Sequence, residues 1–132
     1  MKKLILLSVL GSFVLQVRAA VFTSSASGPW NVGTTWGGLC AASCVAGVDY
    51  PGINDDATIL SPHLVTQLVS NISVNNFTIN SGGRLTSTRQ VNIYGNYTLN
   101  GIENGAHTIK LLGTVGALVS GTGSLSNGGD LH

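Results

Sequence analysis

From residue 57 onward the chain returns to one short phrase every twenty residues: Ala57-Thr58-Ile59, Phe77-Thr78-Ile79, Tyr97-Thr98-Leu99 and Ala117-Leu118-Val119. The outer members are apolar in all four copies, and the middle one is Thr in three. A fixed period of this length is the mark of a repeat architecture, in which each unit buries its apolar face only by stacking on the next. The register extends beyond the phrase. Val65, Leu85 and Leu125 share one slot, with Gly105 in the remaining position, and Val91 and Leu111 share another. Turn residues recur at Ser81-Gly82-Gly83, Asn100-Gly101 and Ser120-Gly121.

Within each repeat the side chains alternate with period two. Odd positions from Phe77 onward carry the apolar series, including Ile79, Leu85, Ile93, Leu99, Ile109, Val115 and Val119, while Thr78, Asn80, Asn92, Asn96, Thr98, Thr108 and Lys110 occupy even ones. Alternation of this kind predicts strands with one buried and one wet face. Ile72 and Val74 fall in the opposite phase, so Asn75-Asn76 is read as a turn or bulge that shifts it.

Two arrangements give a period of twenty. In a parallel β-helix each coil holds two or three short strands, and equivalent residues stack in columns. In an antiparallel meander two ten-residue strands make one period, and Asn100-Gly101 is a strong hairpin turn signal. Apolar residues recur at similar rather than mirrored slots, which favours an all-β, single-stranded right-handed parallel β-helix of about four coils. An antiparallel β-sandwich binding module is the alternative.

The first nineteen residues are read as a secretory signal peptide. Lys2-Lys3 precedes an apolar run from Leu4 to Val14, and Val17-Arg18-Ala19 places suitable residues at −3 and −1 of a cut after Ala19, with a cut after Ala20 as the alternative. The run is shorter than the roughly 20 apolar residues a bilayer requires, so no membrane span is expected after cleavage. Removing residues 1–19 leaves three cationic side chains against five carboxylates, a net −2. Nucleic acid is therefore not an expected partner. Export also sets the chemistry of Cys40 and Cys44, the only cysteines, which are expected to pair as a local disulfide.

Residues 20–54 form an entry segment rich in turn residues. It carries Trp30 and Trp36, read either as a cap over the open end of the core or as a sugar-stacking platform. Asp55-Asp56 stands immediately before the first repeat strand. Adjacent strand residues point to opposite faces, so the pair is not expected to chelate one metal ion, and one Asp is expected to end the loop by bonding backbone N–H groups. Glu103 and Asp130 are read as isolated turn carboxylates, and His107 as a satisfied histidine of the inward phase. Asn71, Asn76 and Asn96 sit in glycosylation-type triplets, but they are read as turn and ladder residues. Asn80 and Asn100 are expected to stack at a coil corner.

Ser27-Gly28-Pro29-Trp30-Asn31, Thr34-Thr35-Trp36-Gly37-Gly38, Asn54-Asp55-Asp56-Ala57-Thr58-Ile59 and the coil Phe77 to Leu85 together resemble the N-terminal part of secreted bacterial, Bacteroidetes-type right-handed parallel β-helix proteins. These are pectin-lyase-like, and the related extracellular domain is named for its eight glycines. The chain departs from the pattern in the long cysteine-bearing stretch between Trp36 and Asp55, and in Asn54, where Gly is usual. The resemblance implies a secreted, extracellular or cell-surface protein acting as an adhesive, structural or glycan-contacting module, with extracellular polysaccharide or the cell surface as partner. It also implies coils beyond residue 132, so that residues 55–132 are a truncated β-helix. Trp30, Trp36, Asp55 and Asp56 are the candidate binding residues, with no catalytic residue, metal or cofactor expected. The alternative is the N-terminal fragment of a carbohydrate-active enzyme, a polysaccharide lyase or glycoside hydrolase, whose active site lies in coils outside this chain.

Overall fold

A computed structural model describes residues 19–113, 117–126 and 130–132. The expected signal peptide up to residue 18, and Val115 of the inward series, lie outside the described residues. The chain enters through β1 (Val21–Thr23), β2 (Gly28–Pro29) and a short 3-10 helix (Gly33–Trp36). The first coil then comprises β3 (Asp56–Ile59), β4 (Leu64–Gln67) and β5 (Ile72–Val74). The second comprises β6 (Phe77–Ile79), β7 (Arg84–Ser87) and β8 (Val91–Ile93), and the third β9 (Tyr97–Leu99), β10 (Ile102–Asn104) and β11 (Thr108–Leu111). A further set of strands follows: β12 (Val119–Ser120), β13 (Ser124–Ser126) and β14 (Asp130–Leu131).

These strands form three sheets, ordered β1-β3-β6-β9-β12, β2-β4-β7-β10-β13 and β5-β8-β11-β14. Every pairing among the named strands is parallel. The protein is thus a parallel β-helix of about three turns rather than a sandwich. Asn100-Gly101 does not close a hairpin. It turns the chain from the first sheet into the second, and Thr78 lies opposite Thr98 in parallel neighbours. Among the described residues no helix is long and apolar enough to cross a membrane.

The interior is a set of columns. Ala57, Phe77 and Tyr97 stack in register, as do Ile59, Ile79 and Leu99, and Ile72, Val91 and Ile109. Phe77 and Tyr97 lie nearly face to face, with ring centroids 5.8 Å apart and planes 19° apart. The small Ala57 precedes them in the column, with Phe22 of β1 opposite it, and the Trp30 ring meets Phe77 edge-on at 5.5 Å. Trp36 packs on Trp30 at 4.9 Å and donates its indole N–H to the Trp30 carbonyl at 2.7 Å. Both indoles are buried, so the pair plugs the first coil.

The twenty-residue register slips by one between β5 and β8, where Ile72 lies opposite Val91, and by two after β9. Two residues separate β9 from β10, where four separate β6 from β7. Glu103, not Gly105, therefore lies opposite Leu85 and Leu125. The same slip puts Ile109, not Leu111, beside Val91. The connection from β11 to β12 is longer than the one from β8 to β9, and Val119, not Ala117, lies opposite Tyr97, with Ser120 beside Thr98. Gly105 has a φ of +126° and lies so close to the Ser87 carbonyl that a Cβ would collide with it.

One corner is sewn together by side-chain amides. Asp56 Oδ1 accepts from the backbone N–H of Asn76 at 3.1 Å and from its carboxamide at 2.8 Å. Asn76 Oδ1 accepts from Asn96 N–H at 2.7 Å, and Asn96 Oδ1 from Leu118 N–H at 3.0 Å. This ladder runs through residues 56, 76 and 96. Asn100 contributes a bond of its own, from Thr122 N–H at 3.3 Å. At Asn76 and Asn96 the backbone N–H is thus taken by a side-chain oxygen of the preceding coil.

Removing one rung of this ladder should cost less than removing one core ring. Asn76→Ala is expected to destabilise by about 1 kcal/mol and Phe77→Ala by about 3–5 kcal/mol, read from urea unfolding midpoints. Equal losses would mean that the corner, not the core, sets the stacking energy.

Candidate functional site

The outward face of the first sheet is a column of hydroxyls. Thr23, Thr58, Thr78, Thr98 and Ser120 are direct neighbours on successive strands. Thr98 and Ser120 share a hydrogen bond at 3.2 Å. The repeat that stacks the interior also copies each outward group at the strand separation of about 4.8 Å. The column carries no charge.

Beside this face the loop preceding β3 makes two grooves that meet at the exposed Ile53. One, of about 540 Å³, is lined by Ala19, Ile53, Asn54, Asn75 and Tyr94. The other, of about 330 Å³, includes Tyr50, Ile53, Ser70, Asn71 and Ser73 in its wall. Tyr94 is 37% exposed and Tyr50 is half-buried. Each groove thus sets a phenol ring beside carboxamides, a pairing that offers an apolar face and neutral hydrogen-bond donors and acceptors together. Tyr94 follows directly on β8 and falls at an even, outward position. Period-two reading alone marks it as a surface aromatic, whereas Trp30 and Trp36 lie outside the repeat and carry no such phase.

The four candidate binding residues are not brought together on a surface. Trp30 and Trp36 form the plug, although Trp30 also reaches the floor of the smaller groove. Asp55 is buried and accepts N–H groups from Ala20 at Oδ1 and Gly52 at Oδ2, each at 2.8 Å. Asp56 points away from it and heads the amide ladder, also accepting from the Asn75 carboxamide at 3.0 Å. Cys40 and Cys44 are joined in a disulfide. Asp49 lies close to both sulfurs, but these are bonded to each other and offer no thiolate to an ion. The Asp49 carboxylate instead accepts the Val45 N–H at 2.8 Å.

The largest departure from the sequence reading is Glu103. It is not an isolated turn residue: β10 turns it inward, and it is 1% exposed. Its carboxylate accepts the Tyr97 hydroxyl at Oε2 and meets His107 Nε2 at Oε1, 2.8 Å away. His107 Nδ1 lies 3.1 Å from the carbonyls of Ser87 and Gly105. Carbonyls only accept, so Nδ1 carries a proton, and a second proton is shared between Nε2 and the carboxylate. The hydrogen bond to Glu103 raises the His107 pKa, against the opposing effect of burial. Burial, with Glu103 adding to it, raises that of Tyr97 and keeps the phenol neutral. The trio has the groups for proton transfer but lies within the coil, away from both grooves.

No protein-family model, curated protein or solved structure matches the chain. The β-helix assignment therefore stands on strand pairing, and the candidate site on its own geometry.

Two outcomes follow for the buried trio. His107→Ala should cost about 3–5 kcal/mol, because it strands a buried carboxylate. The raised His107 pKa means that its contribution is complete below the ordinary value of about 6.5. It should be lost as pH rises through the raised value. Urea midpoints should fall over that interval in the native protein and stay flat in a Glu103→Leu/His107→Leu double variant. A native protein with no such fall would remove the ion pair from the account.

Proposed function

We propose that this is an exported, extracellular or cell-surface β-helix module that adheres to neutral polysaccharide. The observation that carries the reading is the pair of grooves at Ile53, where Tyr94 and Tyr50 lie beside Asn54, Asn71 and Asn75. A sugar ring has an apolar face that packs on an aromatic ring, and a rim of hydroxyls that carboxamides recognise without charge. The neutral hydroxyl column supports the same reading, since it offers an extended polymer one equivalent contact per coil. The signal-peptide pattern supports export, and the resemblance to secreted Bacteroidetes-type, pectin-lyase-like proteins supports a role at the cell surface. The mechanism is geometric: a rigid stack holds the contacts at fixed spacing, so little conformational freedom is lost on binding.

Retention of the purified protein on affinity gels containing neutral polysaccharides tests this. The native protein should be retarded by at least one of them, and Tyr94→Ala should weaken that binding about tenfold, equivalent to roughly 1.4 kcal/mol. Its unfolding midpoint should not change. Equal retardation of native and variant protein would sink the assignment of the groove.

A further inference from the structure

We propose that the chain is cut between Ala19 and Ala20, and that the α-ammonium so created at Ala20 is the built-in counter-charge of Asp55. The inference rests on the export reading and goes beyond it by assigning a function to the new end of the chain.

The argument begins at Asp55. Its carboxylate is 5% exposed and held at Oδ1 by Ala20 N and at Oδ2 by Gly52 N, each at 2.8 Å. Among the described residues the ion pair that forms is Glu103 with His107, and no Lys, Arg or His pairs with Asp55. Two neutral amide donors supply partial charge only, and a buried carboxylate is better matched by a full positive charge. The atom that would carry that charge is already in place. Hydrolysis of the Ala19–Ala20 bond gives the oxygen of water to the Ala19 carbonyl carbon. The Ala20 nitrogen takes the proton and, near neutral pH, binds a second to become an ammonium. A membrane-associated signal endopeptidase, acting on the unfolded chain, is the class of enzyme required.

Strand register selects between the two cuts that the −3, −1 pattern allows. A cut after Ala19 keeps Ala20, whose nitrogen meets Asp55 and whose carbonyl accepts the Asp56 N–H at 2.9 Å. That second bond is where the entry strand first joins β3. A cut after Ala20 discards both bonds. The preferred cut also removes Ala19, an exposed residue in the wall of the groove that contains Tyr94. Processing would thus complete a buried ion pair and widen the candidate site in one step. Other titratable side chains of this corner are Asp49, on the loop that supplies Gly52 and engaged by the Val45 N–H, Asp56, already engaged by Asn75 and Asn76, and the phenols of Tyr94 and Tyr50.

The test uses the full chain, expressed in a host with a general secretory route. The secreted product is sequenced from its N-terminus, and its α-amine is titrated by NMR. The expected product begins at Ala20. Its amine should titrate about one pH unit or more above the ordinary value of about 7.7–8.0. Asp55→Asn should return the amine to that ordinary value. The native titration decides the matter even if this variant fails to fold. A secreted product beginning at Val21, or a native α-amine with an ordinary titration, overturns the inference and leaves export standing. A product retained in the cell with Met1 intact overturns both.

Discussion

Each coil of this protein is stable only because another coil lies against it. The strands are two to four residues long, and no single turn of the helix could bury its own apolar side chains or satisfy its own backbone. Parallel pairing supplies both at once. It continues the backbone hydrogen bonds from coil to coil and superimposes like residues, so that Phe77 covers Tyr97 and Ile59 covers Ile79. The entry segment meets the same requirement at the start of the stack. Trp30 and Trp36 stand where a preceding coil would otherwise be needed, with Trp30 edge-on to Phe77.

Stacking also explains why one carboxylate is so deeply buried. Once two residues are lost from the turn after β9, the residue that falls into the Leu85 column is Glu103. A lone carboxylate there would be severely destabilising. The same coil supplies its partners, with Tyr97 from β9 and His107 from the approach to β11. A network of this kind adds little over a well-packed apolar column, but removing any one member is costly. It also fixes the register of the third coil, because a slip of one residue would turn Glu103 outward and separate the trio.

The outward surface follows from the inward one. Along the first sheet period two places a polar residue beside each buried one, and stacking repeats it, which yields the hydroxyl column at Thr58, Thr78 and Thr98. The grooves arise where this regularity stops, at the irregular loop carrying Tyr50, Ile53 and Asn54. Regular coils give rigidity, and the loop gives shape.

The sequence by itself determined the architecture. Repetition and alternation are local properties, and they were enough to place the first three phrases in one parallel sheet, point Phe77 and Tyr97 inward and seat Asp55-Asp56 at the head of the stack. The pairing of Cys40 with Cys44 joins two cysteines four residues apart, the only two in the sequence. Tertiary structure decided where the period breaks, since turn length is set by how the chain rounds a corner and not by the apolar pattern. That is why the apolar pattern does not mark Glu103 as inward, and why Val119 rather than Ala117 lies opposite Tyr97. It also decided which aromatics are surface and which are core. Trp30 and Trp36 lie outside the repeat, and their burial depends on contacts with residues far away in sequence, such as Phe77. Tyr94 could be called outward from its phase. That it shares a hollow with Asn54 and Asn75 depends on a loop folding across the end of β8, which no local pattern encodes.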